Sequence, residues 1–227
     1  MELFNPQFTE TMALTFKVAL LTTLILLAIA TPIAYWIAYG KSRAKPLAEA
    51  IVNLPLVLPP SALGFYLLLA FSPRNAFGEF LERYFDVRLV FSFEGIVLAS
   101  VIFSLPFMTN ALSAGFAQIN KTLIEAAATL GAGRVKTLFR VILPNMKPAI
   151  LTGAVLTFAH TIGEFGVVLM IGGSRAGETK VASIAIYEEV ESLNYALAHQ
   201  YAGALVVVSF LMLLAVYLIN RSFARAA

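Results

Sequence analysis

His160 and Glu164 stand four residues apart in an apolar run, so an unbroken helix carries both on one face, where an imidazole and a carboxylate can pair. Thr157 and Thr161 add hydroxyls to the same stretch, and Ser61, Thr109 and Asn110 lie in other apolar runs. Neutral hydroxyls and amides suit weak, repeated contacts with a passing ion better than one deep charged site. Such a stripe either lines or gates a path or forms a hydrogen-bonded packing cluster, and the residue types leave both readings open. An acid at this depth is costly in lipid and repels an anion, which favours a structural part for Glu164.

Other chemistry is missing. No cysteine is present and the two histidines, His160 and His199, supply no metal set, no His-Glu-x-x-His motif and no nucleophile with its base. Gly40-Lys41-Ser42 has the ending of a phosphate-binding loop, but Tyr35 occupies the place of the required glycine and an apolar helix precedes it. The chain is expected to be no enzyme, to bind no cofactor or metal of its own, and to take no nucleic acid.

The elements that must position these residues follow from composition. Of 227 residues 59% are hydrophobic and 13% charged, with a mean hydropathy of +0.83, an excess no soluble core of this size needs. The apolar residues gather into runs near the roughly 20 that cross a bilayer as helix. Barrel strands would alternate instead, so the fold class is all-α, a polytopic membrane protein.

The pattern predicts about five spans: 12–39, about 50–71, about 95–116, about 148–171 and about 199–219. Pro55, Pro59 and Pro60 interrupt the second, and Pro106 is a possible kink in the third. A broken helix at membrane depth lines a cavity or packs on protein, and Pro59 and Pro60 join Ser61 as candidates for lining a path. No Lys or Arg precedes Lys17 while Glu2 and Glu10 are acidic, so the first run is expected to be retained rather than cleaved. No internal repeat or linker is visible, and one membrane domain is expected over 1–227.

Alternate connections differ in charge. Lys41, Arg43, Lys45, Lys121, Arg134, Lys136, Arg140, Lys147, Arg221 and Arg225 share one side with only Glu49 and Glu125. Arg74, Arg83, Arg88, Arg175 and Lys180 lie on the other among eight acids: Glu79, Glu82, Asp86, Glu94, Glu178, Glu188, Glu189 and Glu191. The basic side is expected to be cytoplasmic, which puts the amino terminus outside and the carboxyl terminus inside.

The cytoplasmic loop, about 118–147, holds the most specific stretch. Glu125, Ala126, Ala127 and Ala128 favour helix, Gly131 and Gly133 allow a tight end to it with Ala132 between them, and Phe139 and Val141-Ile142-Leu143-Pro144 follow at fixed spacing. Small residues here allow another protein to approach closely. The stretch resembles the signature of ABC importer permeases at every spacing, with Val141 in place of an isoleucine. Asn53-Leu54-Pro55-Leu56-Val57-Leu58-Pro59-Pro60 and Gly163-Glu164-Phe165-Gly166 resemble, in addition, the molybdate permease family, whose relatives include tungstate and sulfate permeases.

That resemblance implies a type I importer fold in the inner membrane of a prokaryote, with the loop serving as a coupling helix. Its partners would be a second copy of the chain, two ATPase subunits carrying ATP and magnesium, an extracytoplasmic molybdate-binding protein, and membrane lipid. A passive anion channel is the alternative from another class, and it needs no ATPase dock.

Overall fold

In the computed structural model the described residues are 6–226, with side chains described as far as Arg221. Glu2 and the Arg225 side chain, both used in the sequence reading, lie outside the described residues. The first apolar run forms α1, Pro6–Tyr39, whose 34 residues make about 51 Å of helix, more than a ~30 Å hydrocarbon layer needs. Its threonines do not interrupt it because Thr15, Thr23 and Thr31 each return a hydroxyl hydrogen bond to the carbonyl four residues back.

The proline-rich run splits into α2, Lys45–Val57, and α3, Pro60–Phe71, bent by 111°. The break falls at Leu58-Pro59, while Pro55 sits inside α2 without ending it. The following connection folds a short helix that its mixed charge did not announce, α4, Ala76–Phe85, which ends at Asp86 in the left-handed region. α5, Phe93–Gln118, starts on a Ser92 cap and runs through Pro106 as one helix.

The basic loop contains α6, Lys121–Thr129, then α7, Arg134–Thr137, a π-helical turn over Leu138–Ile142, and α8, Leu143–Asn145. A 73° bend leads into α9, Lys147–Gly163. α10, Gly166–Gly172, completes that run, α11, Ala182–Glu191, stands in the acidic loop, and α12, Tyr195–Ala226, closes the chain.

Among the described residues every element is helical. α1, α5 and α12 as far as Arg221 are each long and apolar enough to cross a membrane, and the two bent pairs bring the total to five if each is one broken span. That agrees with the five expected from the apolar runs.

α1, α5 and α9 form the centre, with Leu26, Ala30, Met108, Leu112, Phe116 and Met146 buried between them. Between lipid-facing helices close packing replaces the hydrophobic drive, and small residues supply it. A Cβ on Gly115 would lie 2.5 Å from the Ala149 Cβ, and one on Gly153 would lie 3.1 Å from the Ala111 Cβ, so α5 and α9 are in near backbone contact at two levels. Tyr39 donates a 2.8 Å hydrogen bond to the Phe116 carbonyl and fastens the end of α1 to α5.

Candidate functional site

The stretch from Asn120 to Pro144 is built from local rules. The Asn120 side chain accepts the Thr122 N–H at 3.0 Å and starts α6. Its far end is a Schellman closure: the Gly131 N–H reaches the Ala128 carbonyl at 3.0 Å, and the Ala132 N–H reaches that of Ala127 at 2.9 Å. This geometry requires a left-handed residue, and Gly131 adopts φ +74°. Gly133, expected to share in this end, takes no special part in it, because at φ −66° its conformation is open to any residue. A Cβ on either glycine would meet nothing within 4 Å, so the chain itself leaves open space at this corner.

Ala127, Thr137 and Ile142 turn inward, whereas Glu125, Ala126, Gly131, Gly133, Phe139 and Pro144 are exposed, with Ala132 and Leu143 half-buried. Leu130, Val135 and Phe139 are 86, 71 and 64% exposed, an apolar group in a basic loop that soluble surfaces rarely leave uncovered. Behind it, Phe139 and Leu143 line a 520 Å³ apolar cavity with Leu27, Pro32 and Tyr35 of α1. The wide turn at Leu138–Ile142 comes directly before Pro144, whose ring conflicts with the carbonyl four residues back, and such a turn relieves that conflict.

The expected pairing of His160 with Glu164 does not form, because α9 stops at Gly163 and Glu164 is extended. The Glu164 carboxylate instead accepts the Val167 N–H at 2.7 Å and heads α10, a favourable place for a negative group. The Glu164 carbonyl accepts the Ser183 hydroxyl at 2.5 Å, tying the break to α11.

His160 lies between Phe103 and Phe107, with ring centroids 4.8 and 4.0 Å away, and its Nδ1 is 3.1 Å from the Ser104 hydroxyl. Ser104 also meets the Thr161 hydroxyl at 3.0 Å, and Thr161 donates to the Thr157 carbonyl. One proton per hydroxyl satisfies all three contacts only if Ser104 donates to Thr161 and His160 donates from Nδ1. The pattern of the sequence held no signal for Ser104, which lies on α5 and meets His160 only through packing.

The remaining path candidates separate. Thr109 is buried with its hydroxyl unpartnered. Pro59, Pro60, Ser61 and Asn110 are exposed. Pro60 receives Gly166 of α10 so closely that a Cβ there would lie 2.9 Å from the Pro60 Cβ. Asn110 donates to Asn53 of α2 at 2.7 Å, a partner sequence reasoning passed over. Among the described residues no His, Asp or Glu cluster could hold a metal.

A helical domain with broken spans, a close-packed centre and an exposed, capped helix on its basic side is the architecture of a transporter's membrane component. Residues 30–225 match the family described as binding-protein-dependent transport system inner membrane component, and the chain belongs to it. It is 46% identical over 208 residues to the molybdenum transport system permease protein ModB of Azotobacter vinelandii, covering 92% of each chain. Against the sulfate transport system permease protein CysT of Salmonella typhimurium the identity is 28% over 221 residues, covering 97% of this chain and 79% of that one. A bacterial alginate ABC transporter, solved with an alginate pentasaccharide-bound periplasmic protein, has the same fold, with a TM-score of 0.77 at 20% identity over 96% of this chain and 80% of that one. The fold is that of type I ABC importer permeases.

Proposed function

We propose that this chain is the permease subunit of an ABC importer that carries molybdate across the cytoplasmic membrane, driven by ATP hydrolysis on a separate subunit. The observation that carries the reading is the exposed corner formed by α6 and Gly131, where open space and uncovered apolar side chains suit the groove of another protein. Two copies of the chain frame the path, two ATPase subunits with ATP and magnesium sit below, and an extracytoplasmic binding protein delivers the anion. The charge asymmetry of the connections supports an amino terminus outside and the α6 corner inside.

Molybdate is preferred over sulfate because the relative with 46% identity is a molybdenum permease, whereas sulfate permeases stand at 28 and 35%. A passive channel would have no use for the α6 corner.

The test is labelled molybdate uptake by the reconstituted complex, comparing wild type with a Glu125→Arg, Gly131→Trp double variant. Loss of uptake in a variant that still inserts in the membrane is expected. Uptake at the wild-type level would refute the docking role, and wild-type uptake without ATP would favour the channel.

A further inference from the structure

Asn110 and Asn53 form an amide pair inside the apolar part of the chain. Each stands eight residues from the basic-side end of its helix, at Gln118 of α5 and Lys45 of α2, which places the pair about 12 Å along from those ends. Primary amides at this depth are expensive to leave against acyl chains. Yet Asn110 is exposed, and the other outward residues of that half of α5, Ala114, Ala117 and Gln118, recur on the same face with two small side chains and a second amide. Such a face suits the close approach of a second helix or of a polar passenger better than acyl chains.

The direction of both amides is fixed by a single carbonyl. The Glu49 carbonyl can only accept, so the atom of Asn53 that lies 2.8 Å from it must be the Nδ2 donor. Asn53 Oδ1 is thereby turned toward Asn110, and the Asn110 atom 2.7 Å away must be its own Nδ2. One N–H of Asn110 is used in this bond. Its second N–H makes no hydrogen bond among the described residues, and the residue that carries it is exposed.

We propose that Asn110, oriented by Asn53 and the Glu49 carbonyl, presents an amide N–H to the tetrahedral oxyanion as it crosses the basic-side half of the path, with Asn53 as its positioning residue. This rests on the importer reading given above. A neutral donor attracts a dianion without holding it as a cation would, and conduction requires that a site be easy to leave. A packing clasp alone would bury both amides against each other, whereas Asn110 is exposed and has one N–H unused.

The experiment uses the full transporter in proteoliposomes, with molybdate as the probe, and reads anion uptake and ATP hydrolysis together. Asn110→Asp keeps the shape but removes both N–H donors and adds a charge that repels the anion, and Asn110→Leu removes the donors without the charge; uptake should fall in both, in Asn110→Leu by at least about tenfold, the scale for losing a hydrogen bond to a charged group. Stimulation of ATP hydrolysis by the loaded binding protein should persist. Asn110→Ser retains a donor and should recover most of the uptake, and Asn53→Leu should lower the anion carried per ATP.

Wild-type uptake in Asn110→Asp or Asn110→Leu overturns the inference, as does an equal loss in Asn110→Ser, which would mean packing rather than donation. Should Asn110→Asp fail to assemble, Asn110→Ser and Asn53→Leu carry the test, and an unchanged anion-to-ATP ratio in Asn53→Leu overturns the positioning role. No uptake by wild type would defeat the importer reading and this inference with it, whereas normal wild-type uptake beside unaffected variants defeats the inference alone.

Discussion

Replacing Gly131 and Gly133 separately by alanine distinguishes a backbone requirement from mere smallness at the α6 corner. Neither new methyl would touch anything within 4 Å, so no steric term enters from the chain itself. Gly131 is at φ +74°, where an L-residue costs roughly 1–2 kcal/mol. Gly133 is at φ −66°, where alanine is unstrained and gains about 0.4–1 kcal/mol by restricting the unfolded chain.

The Gly131 cost falls on the two closing hydrogen bonds from Gly131 and Ala132, because the corner is exposed and can fray without unfolding the spans. One to two kcal/mol corresponds to a factor of about 5–30 in the local opening equilibrium. Amide hydrogen exchange on the chain held in lipid nanodiscs should therefore quicken at the residue 131 and 132 amides by about that factor in Gly131→Ala, and stay level or slow in Gly133→Ala. ATPase capture should weaken in step with the first. Equal protection in the two variants, or greater loss in Gly133→Ala, would refute the reasoning.

Three further outcomes follow from the packing. Glu164→Leu leaves the buried Val167 N–H without its acceptor and should lose about 1–3 kcal/mol, seen as a lower melting temperature in detergent; Glu164→Gln keeps an acceptor, and equal melting of the two variants would contradict the capping role. Gly115→Ala places a methyl 2.5 Å from Ala149 and should cost about 1–3 kcal/mol, with Ala149→Gly restoring much of it, because overpacking is relieved by removing the opposing atom; failure of that rescue would contradict the contact.

The third concerns pH. Burial pushes the Glu188 carboxyl up, but hydrogen bonds from Lys180 and Ser174 and the Lys180 charge, 2.6 Å away, outweigh it and hold the group below its ordinary value. A depressed carboxylate stabilises the fold above its unfolded value, about 4.3, and the gain is lost as pH falls through the lower folded value. The melting difference between wild type and Lys180→Met should accordingly be constant near neutrality and shrink below that point. A difference that grows on acidification would show the sign to be wrong.

The long spans were legible because lipid demands uninterrupted apolar helix, and each run left its length in the sequence. The break at Leu58-Pro59 was legible for the same reason, since paired prolines cannot continue a helix. The Gly131 closure could be read from a glycine following a run of alanines. Pro106 lies inside α5, which continues through it as one helix.

The His160 and Glu164 pairing failed because spacing alone assumes an unbroken helix, and α9 ends one residue too soon. α4 and α11 were read as connections, being too short and too charged to stand out from loops. Ser104 with His160 and Asn53 with Asn110 join residues more than fifty positions apart, a relation that only the packing of α5 against α9 and α2 creates.

Affinity capture of this subunit from native membranes in mild detergent tests the central claim most directly. Recovery of an ATPase subunit through the α6 corner, abolished by Glu125→Arg with Gly131→Trp, together with a molybdate-selective binding protein, is the predicted result. Recovery of the chain alone, conducting anions when reconstituted without ATP, would contradict it.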